Sequence, residues 1–533
     1  MIDEDTTFKA SVKLRSFNPL KNKVELELSD RQDEPEPEGP LDSKRKERSK
    51  SYSILEGSLH AITQGLTSNF LSAFALALGS SNTVIALLVT LPSLIGAFVQ
   101  LGVQSVRSLF KSSRAMIVFF AALQAFMWLP LIFIPQLQQP GLWLIFFVTL
   151  NTSFGMLLGP VWNSFIGEIV DENERGKFFG RRNMFTGMSA FISTIFAGWV
   201  LSVMKPVNPI LGFSMLFALA FAFRIMSAYF LGKMSKTSDQ GLNMAQPDIP
   251  DFIRNVDRTP FGRFTIFLML FYIAVYFSAP FFVVYQLSIL KLSYLHFTAL
   301  ASASAIASFG SMIVWGKHVD KIGSKNVLFA SGLLIPMIPF AYAATTSFWV
   351  LMVVELFSGF IWAGFNLSVS TYLFDATDRA ERTRQLAVYT LLIQLAIFSG
   401  AMAGSAFLRI FDGTTRTGFI TVFIISGVLR LLVVLMFYGT LQEMRLVEVP
   451  ITGRIFKVFV SIKPQMGIVY DVAGENIREA GKLAFETPRR VNEQVMEFAR
   501  QARGIRKPKS AIKEMEARED QEDFEEYKKD LKP

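Results

Sequence analysis

Glu355 is a carboxylate inside an apolar run, FWVLMVVELFSGFIWAGFN. An ionisable group in such a run needs a partner or water. Glu355, Gly359, Trp362 and Asn366 follow at spacings of 4, 3 and 4, which places them on one helical face. A carboxylate, an indole and an amide on one face can hold a polar solute, and the carboxylate can carry a proton. The same residues also suit a plainer role, a capping or interhelical hydrogen bond near the membrane surface. His60, Gln64 and Thr67 or Ser68 repeat the spacing upstream, with Asn69 just beyond. His60 titrates near neutrality in water, but it stands about five residues into its apolar stretch. A hydrogen-bonded histidine at the membrane surface is therefore the expectation. Tyr272 and Tyr276 are four apart ahead of Pro280, which breaks or kinks their helix; tyrosines are also common interfacial anchors. Asn151 and Gln394 add amides to other apolar runs. Arg224 and Arg430 are deep charges, read as structurally paired or snorkelling rather than touching a solute.

Other chemistries leave no trace. The chain has no cysteine, which excludes disulfides, thiol catalysis, zinc–cysteine sites and iron–sulfur clusters. It contains no G-x-x-x-x-G-K-[ST], no H-E-x-x-H and no nucleophile elbow. No catalytic residue, metal or cofactor is expected, and an enzyme is not.

These polar residues must be positioned by membrane helices. Of the 533 residues, 51% are hydrophobic and only 18% charged, with mean hydropathy +0.37. The charges crowd into the two ends and a few loops, leaving stretches long enough to cross a hydrocarbon core of roughly 30 Å. Twelve spans are predicted: 55–78, 83–104, 114–134, 141–168, 183–204, 209–232, 262–290, 296–316, 326–346, 348–374, 386–409 and 417–441. The loops after even-numbered spans carry most of the basic residues, such as Arg107, Arg114, Arg175, Arg181, Arg182, Lys317 and Lys325. The positive-inside rule puts those loops and both termini in the cytoplasm. The net charge of +9 reflects that rule rather than nucleic-acid binding. The halves repeat. Gly212, Phe213 and Arg224 recur as Gly418, Phe419 and Arg430 at an offset of 206. Asn151, Gly155 and Trp162 fall opposite Glu355, Gly359 and Asn366 at an offset of 204.

The clearest motif runs from Gly316 to Lys325, GKHVDKIGSK, with the pattern G-x-x-x-D-x-x-G-x-K between the eighth and ninth spans. Gly316 permits close helix contact and Gly323 a sharp turn. Asp320 beside Lys321 and Lys325 can latch one conformation and release it in another; an ordinary topogenic loop is the plainer reading. Here the chain resembles the major facilitator superfamily, whose signature loop has this pattern. The first-half copy, Gly102 to Lys111, departs from it, with Val106 in place of the Asp and Leu109 in place of the second Gly. EIVDENERGKFFGRRN, from Glu168 to Asn183, also looks like the family, where an arginine–glycine pair commonly follows the fourth helix. Its Glu168, Asp171 and Arg175, with Asp375 and Arg379 of the matching loop DATDRAER, are gating candidates. Arg107, Arg181 or Arg224 would neutralise Glu168.

The resemblance implies an all-α polytopic membrane protein of twelve transmembrane helices in two pseudo-symmetric six-helix bundles, with small cytosolic terminal extensions. In the family the first, fourth, seventh and tenth helices line a central cavity. That makes Gln64, Asn69, Asn151, Tyr272, Tyr276, Glu355, Trp362 and Asn366 the cavity candidates, with Gln394 beside them. The expected organisation is a cytosolic tail over 1–50, bundles over 51–232 and 262–445, a linker over 233–261 and a cytosolic tail over 446–533. In the first tail, alternating residues around Asn18-Pro19 read as a β-hairpin. RIFKVFVSI at 454–462 is a candidate third strand, and helical periodicity follows from about 472. The expected function is secondary active transport of a small solute, with protons as the coupling ion, by a monomer in the plasma membrane. A non-transporting receptor or scaffold working through its tails is the alternative.

Overall fold

The computed structural model describes residues 12–18, 23–28, 40–171, 174–235, 258–377 and 382–444, with positions 252, 254 and 256. The chain divides into two compact units, Met1–Ile455 and Phe456–Pro533; the second lies outside the described residues, as do the candidate third strand and the helical periodicity after it.

Eleven helices among the described residues are long and apolar enough to cross a membrane. They are Asn82–Leu101, Ser113–Gln136, Pro140–Ile169, Arg175–Met204, Pro209–Lys233, Pro260–Ile289, Tyr294–Ile322, Ser324–Ala344, Phe348–Ala376, Arg384–Ile410 and Arg416–Phe437. The span before them completes the twelve. It runs over Pro40–Thr67, is interrupted at residues 68–70 and resumes over Leu71–Ala77. Its charged lead-in lowers its hydropathy. The fifth span starts eight residues earlier than the apolar pattern suggests, at Arg175, and the eighth runs on to Ile322.

Local chemistry sets the ends. Asn208 accepts hydrogen bonds from the Ile210 and Leu211 N–H groups ahead of Pro209, and Thr259 accepts from Gly262 N–H ahead of Pro260. Both are N-caps followed by proline at the first helical position, where its missing N–H costs nothing. Prolines also interrupt spans. The seventh breaks at Phe277–Pro280. The third breaks at Met127 near Pro130 and the ninth at Ile335-Pro336. Pro130 and Pro336 are themselves 206 apart, so the interruptions obey the repeat.

Packing obeys it as well. Within the first half, the first span packs on the fifth and sixth, the second on the fourth, and the third on the fourth and sixth. Within the second half, the seventh packs on the eleventh and twelfth, the eighth on the tenth, and the ninth on the tenth and twelfth. Each pair recurs six spans later. The first–fifth and seventh–eleventh pairs approach closely because glycines face backbone: a Cβ on Gly65 would overlap Ala190 O, and on Gly400 or Gly404 would overlap Ile273 O or Phe277 O. The halves meet through the second span on the eleventh and the fifth on the eighth.

One buried cluster is shared between halves. It joins Phe70, Phe74 and Phe213 to Tyr285, Tyr294, Phe297 and Phe419, near the face opposite the described chain ends. Phe70 and Phe297 have ring centroids 6.0 Å apart, and Phe213 and Tyr294 5.8 Å. Hydrogen bonds join the halves at the same face: Asn82 Nδ2 to Gly413 O at 2.9 Å, Thr83 Oγ1 with Ser405 Oγ at 2.8 Å, and Arg409 Nε to Thr83 Oγ1 at 3.1 Å. Toward the terminal face each half has its own core, around Phe120 and Phe165 in the first and around Phe267 and Phe365 in the second.

Before the first bundle, strands β1 (Val12–Asn18) and β2 (Lys23–Leu28) pair antiparallel, with Val12 opposite Leu28 and an irregularity between Leu14 and Phe17.

Candidate functional site in the first half

A cavity of about 420 Å³ opens among the first four spans. His60, Gln64, Gln124, Asn151 and Thr152 give it polar lining, and Trp128 gives it an aromatic wall. Two amides are locked in place. Gln124 Nε2 donates to Asn151 O at 3.0 Å, and Asn151 Nδ2 returns a bond to Gln124 O at 2.9 Å. Gly155 leaves room for this exchange, since a Cβ there would meet Gln124 Nε2. Of the sequence candidates, Gln64 and Asn151 line the cavity. Asn69 sits in the break of the first span, exposed.

A charged cluster lies beside this cavity toward the terminal face. Glu56 is buried at 4% exposure between two arginines. Arg182 NH2 stands 3.5 Å from Glu56 Oε2, and Arg224 NH1 3.9 Å from Oε1. Arg224 NH2 donates to Gln124 Oε1 at 2.6 Å and NH1 to Ser227 Oγ at 2.8 Å. Arg182 lies over the Trp162 ring at 4.3 Å. The network therefore runs from the ion cluster through Arg224 and Gln124 into the cavity wall. Arg224 is structurally paired, as expected, but with Glu56 and not with Glu168. The sixth span packs on the first, and that brings its guanidinium to Glu56.

His60 departs from expectation. Its Nδ1 is buried with no hydrogen-bond partner among the described residues, and the side chain lines the cavity. The helix begins at Pro40, so His60 is well inside it, behind a charged lead-in.

The second half is arranged differently. Tyr342 OH donates to Glu355 Oε1 at 2.6 Å and accepts from Gln286 Nε2 at 2.7 Å. Glu355 is thus held by the ninth span, as its repeat partner Asn151 is held by the third. Gly359 faces the eighth span, where a Cβ would overlap Ser304 O. Trp362, Tyr272 and Tyr276 pack against the second-half core, the two tyrosine rings 6.4 Å apart. Gln394 is half-buried and Asn366 exposed. Arg430, at 2% exposure, donates to Ser426 Oγ, Ser278 Oγ and Val275 O. Ser278 lies in the break of the seventh span and Val275 in the last helical turn before it, so Arg430 holds the chain where the helix ends ahead of Pro280.

The Major Facilitator Superfamily family model matches residues 57–343 and 264–463. The chain belongs to the Major Facilitator Superfamily. Its fold is similar to that of the nucleoside transporter NupG (TM-score 0.58, 16% identity, 75% of this chain and 99% of that one). It is likewise similar to the partially occluded inward open xylose transporter XylE from E. coli (0.54, 13%, 75% and 98%). A third similar structure is a bacterial homolog of the human lysosomal transporter Spinster, inward-facing and unoccupied (0.53, 14%, 78% and 100%). No curated protein sequence matches. Two six-helix bundles with recurrent packing are the superfamily fold, and the chain is a multi-pass membrane protein of this transporter type.

The superfamily signature sits at the terminal face. Gly316 to Ile322 continue the eighth helix, so the expected loop reduces to Gly323 at φ +90°. Only glycine adopts this readily, and a Cβ there would also overlap the Glu443 carboxylate. Glu443 caps the ninth span, accepting from Lys325 N–H at 3.0 Å and Ser324 Oγ at 3.4 Å. Gly316 has no neighbour within 4 Å of a Cβ position, so the close helix contact expected there is not made. Asp320 and Lys321 are exposed and Lys325 half-buried. In the first-half copy Arg107 holds the turn, donating to Phe110 O at 2.8 Å and Ser113 Oγ at 3.0 Å.

Among the other gating candidates, Arg175 NH2 donates to Gly167 O at 3.2 Å, and Glu168 and Asp375 are half-buried. Arg379 lies outside the described residues. Asp171 is 3.5 Å from Lys46 of the helical lead-in. Lys50, one turn on, is paired with Glu174 and with Glu47 at 2.8 Å. Burial pulls the Lys50 ammonium down, but the bonds to Glu174 and Glu47 more than offset it, and it stands above the ordinary lysine range. Ser49 and Ser235 bond at 2.9 Å, so residues 46–50 tie the fourth–fifth loop to the end of the sixth span.

Proposed function

We propose that this protein is a secondary active transporter that carries a small polar solute by alternating access. The cavity of about 420 Å³ carries the reading, because locked amides and a histidine line it among four spans of a two-bundle fold. The shared core and cross-half hydrogen bonds at one face, with separate cores at the other, suit a rocking motion that opens one face at a time. In this reading the protein is a monomer in the plasma membrane with both termini cytoplasmic, and the terminal face is the cytoplasmic one.

Protons are the coupling ion, and Glu355 is the coupling residue. Among the described residues it has neutral hydrogen-bond donors and no cation. A proton there removes an uncompensated charge from the membrane, whereas Glu56 is neutralised by two arginines. The test is uptake into proteoliposomes across a broad solute panel, with and without an inward proton gradient. Gradient-driven uptake falling at least tenfold in Glu355→Gln is expected. Uptake unchanged in Glu355→Gln discards that residue as the coupling site. Absence of flux for every solute favours a non-transporting receptor.

A further inference from the structure

We infer that the cluster beside the first-half cavity receives the negatively charged end of the solute, so that the solutes are small organic anions with a polar, uncharged remainder. This inference rests on the transport reading above. The formal charges of the cluster do not balance: Arg182 and Arg224 carry two positive charges and Glu56 one negative. An uncompensated charge in a low-dielectric setting is expensive and calls for a counter-ion. The hydrogen bonding is unbalanced in the same sense. Among the described residues, Arg224 Nε and Trp162 Nε1 are buried donors without an acceptor, and His60 Nδ1 is buried and unpartnered. Among the described residues, Glu56 Oε2 has no hydrogen-bond donor in good geometry and is the acceptor the cluster leaves over, 3.5 Å from Arg182.

These groups are close together. Arg182 lies on the Trp162 ring, and His60 is within electrostatic reach of both guanidiniums. Arg224 is closed off at 3% side-chain exposure, while Arg182 retains 17%. Neither arginine lines the cavity itself; His60 and Gln124 do, and Arg224 donates to Gln124, so of the two guanidiniums behind that wall Arg182, the less enclosed, is the one assigned to the incoming anion. A guanidinium fork suits carboxylate and phosphate alike. The cavity begins at His60, and its Gln64, Gln124, Asn151 and Thr152 suit hydroxyl or amide groups on the rest of the solute.

The experiment is thermal unfolding of the detergent-purified full chain with matched probes: lactate against lactamide, succinate against succinamide, and glycerol 3-phosphate against glycerol. It reads binding, so its outcome is independent of whether flux is found. The charged member of at least one pair is expected to raise the melting temperature while its neutral partner does not. Arg182→Gln is expected to weaken that binding tenfold or more, with Arg182→Lys between it and wild type. Glu56→Gln, which removes the competing carboxylate, is expected to strengthen it by about tenfold even as it lowers the melting temperature without ligand. A merely structural role would move both substitutions in one direction. Equal shifts from charged and neutral partners, no shift from any charged probe, or weakening by Glu56→Gln would each overturn the inference.

Discussion

Glu56→Ala is expected to destabilise the first bundle by about 3–5 kcal/mol, the cost of leaving buried charge unpaired. Glu56 is the acidic partner of both Arg182 and Arg224, and Arg224 is 2% exposed, so water cannot take its place. Ser227 and Gln124 would still hold Arg224, but neutral acceptors offset only part of a charge. Arg430 gives the comparison within one molecule. It is equally buried and lives on serine hydroxyls and a carbonyl. Glu56→Ala combined with Arg182→Ala should therefore recover much of the loss, since Arg224 would then resemble Arg430. Thermal unfolding in detergent of the single and double variants checks this.

Gly404→Val is expected to disrupt the second half. Overpacking ordinarily costs about 1–3 kcal/mol because side chains give way. Here the obstacle is Phe277 O, backbone at the break of the seventh span, with the Phe281 ring close behind. Relief requires the seventh and eleventh spans to separate, and Arg430 pins the seventh at Val275. A cost at or above the top of that range should appear as loss of the monodisperse fraction in size-exclusion chromatography. Gly316→Ala is the control: its Cβ position meets nothing within 4 Å, so that variant should purify as wild type.

Much of this fold is legible because a membrane imposes length and apolarity on every span. The twelve predicted spans fall on helices, and the repeat that Arg224 and Arg430 announce recurs in the packing. The ends of helices were harder to read. The fifth span extends over RGKFFGRR, polar enough to pass for loop, so the sequence alone puts Arg182 in a topogenic segment. Glu56 is a different case: it is the second residue of the predicted first span, 55–78, where a carboxylate next to the charged residues before it passes for the edge of the span. A signal was present: Glu56, His60 and Gln64 are spaced 4 and 4, so the polar face recognised at His60 reaches one turn further back. Glu355 shows the opposite difficulty. Its spacing to Gly359 and Trp362 is that of one face, but spacing does not say which neighbour the face meets. The structure turns Glu355 to Tyr342 and Gly359 to the eighth span. The interruption of the first span at residues 68–70 has no proline to mark it.

Alternating access can be tested without knowing the solute, because the chain has no cysteine and only introduced thiols can react. Thr152→Cys places one in the cavity, and Thr83→Cys with Ser405→Cys places a pair where the two hydroxyls lie 2.8 Å apart across the halves. The measurement is labelling of the cavity thiol by a membrane-impermeant maleimide added from one side or the other of oriented vesicles, before and after the pair is oxidised. Labelling from both sides is expected beforehand. After oxidation labelling is expected from the terminal face alone, with reductant restoring the other. Labelling from the opposite face that persists through the crosslink, or that never occurs, would contradict alternating access.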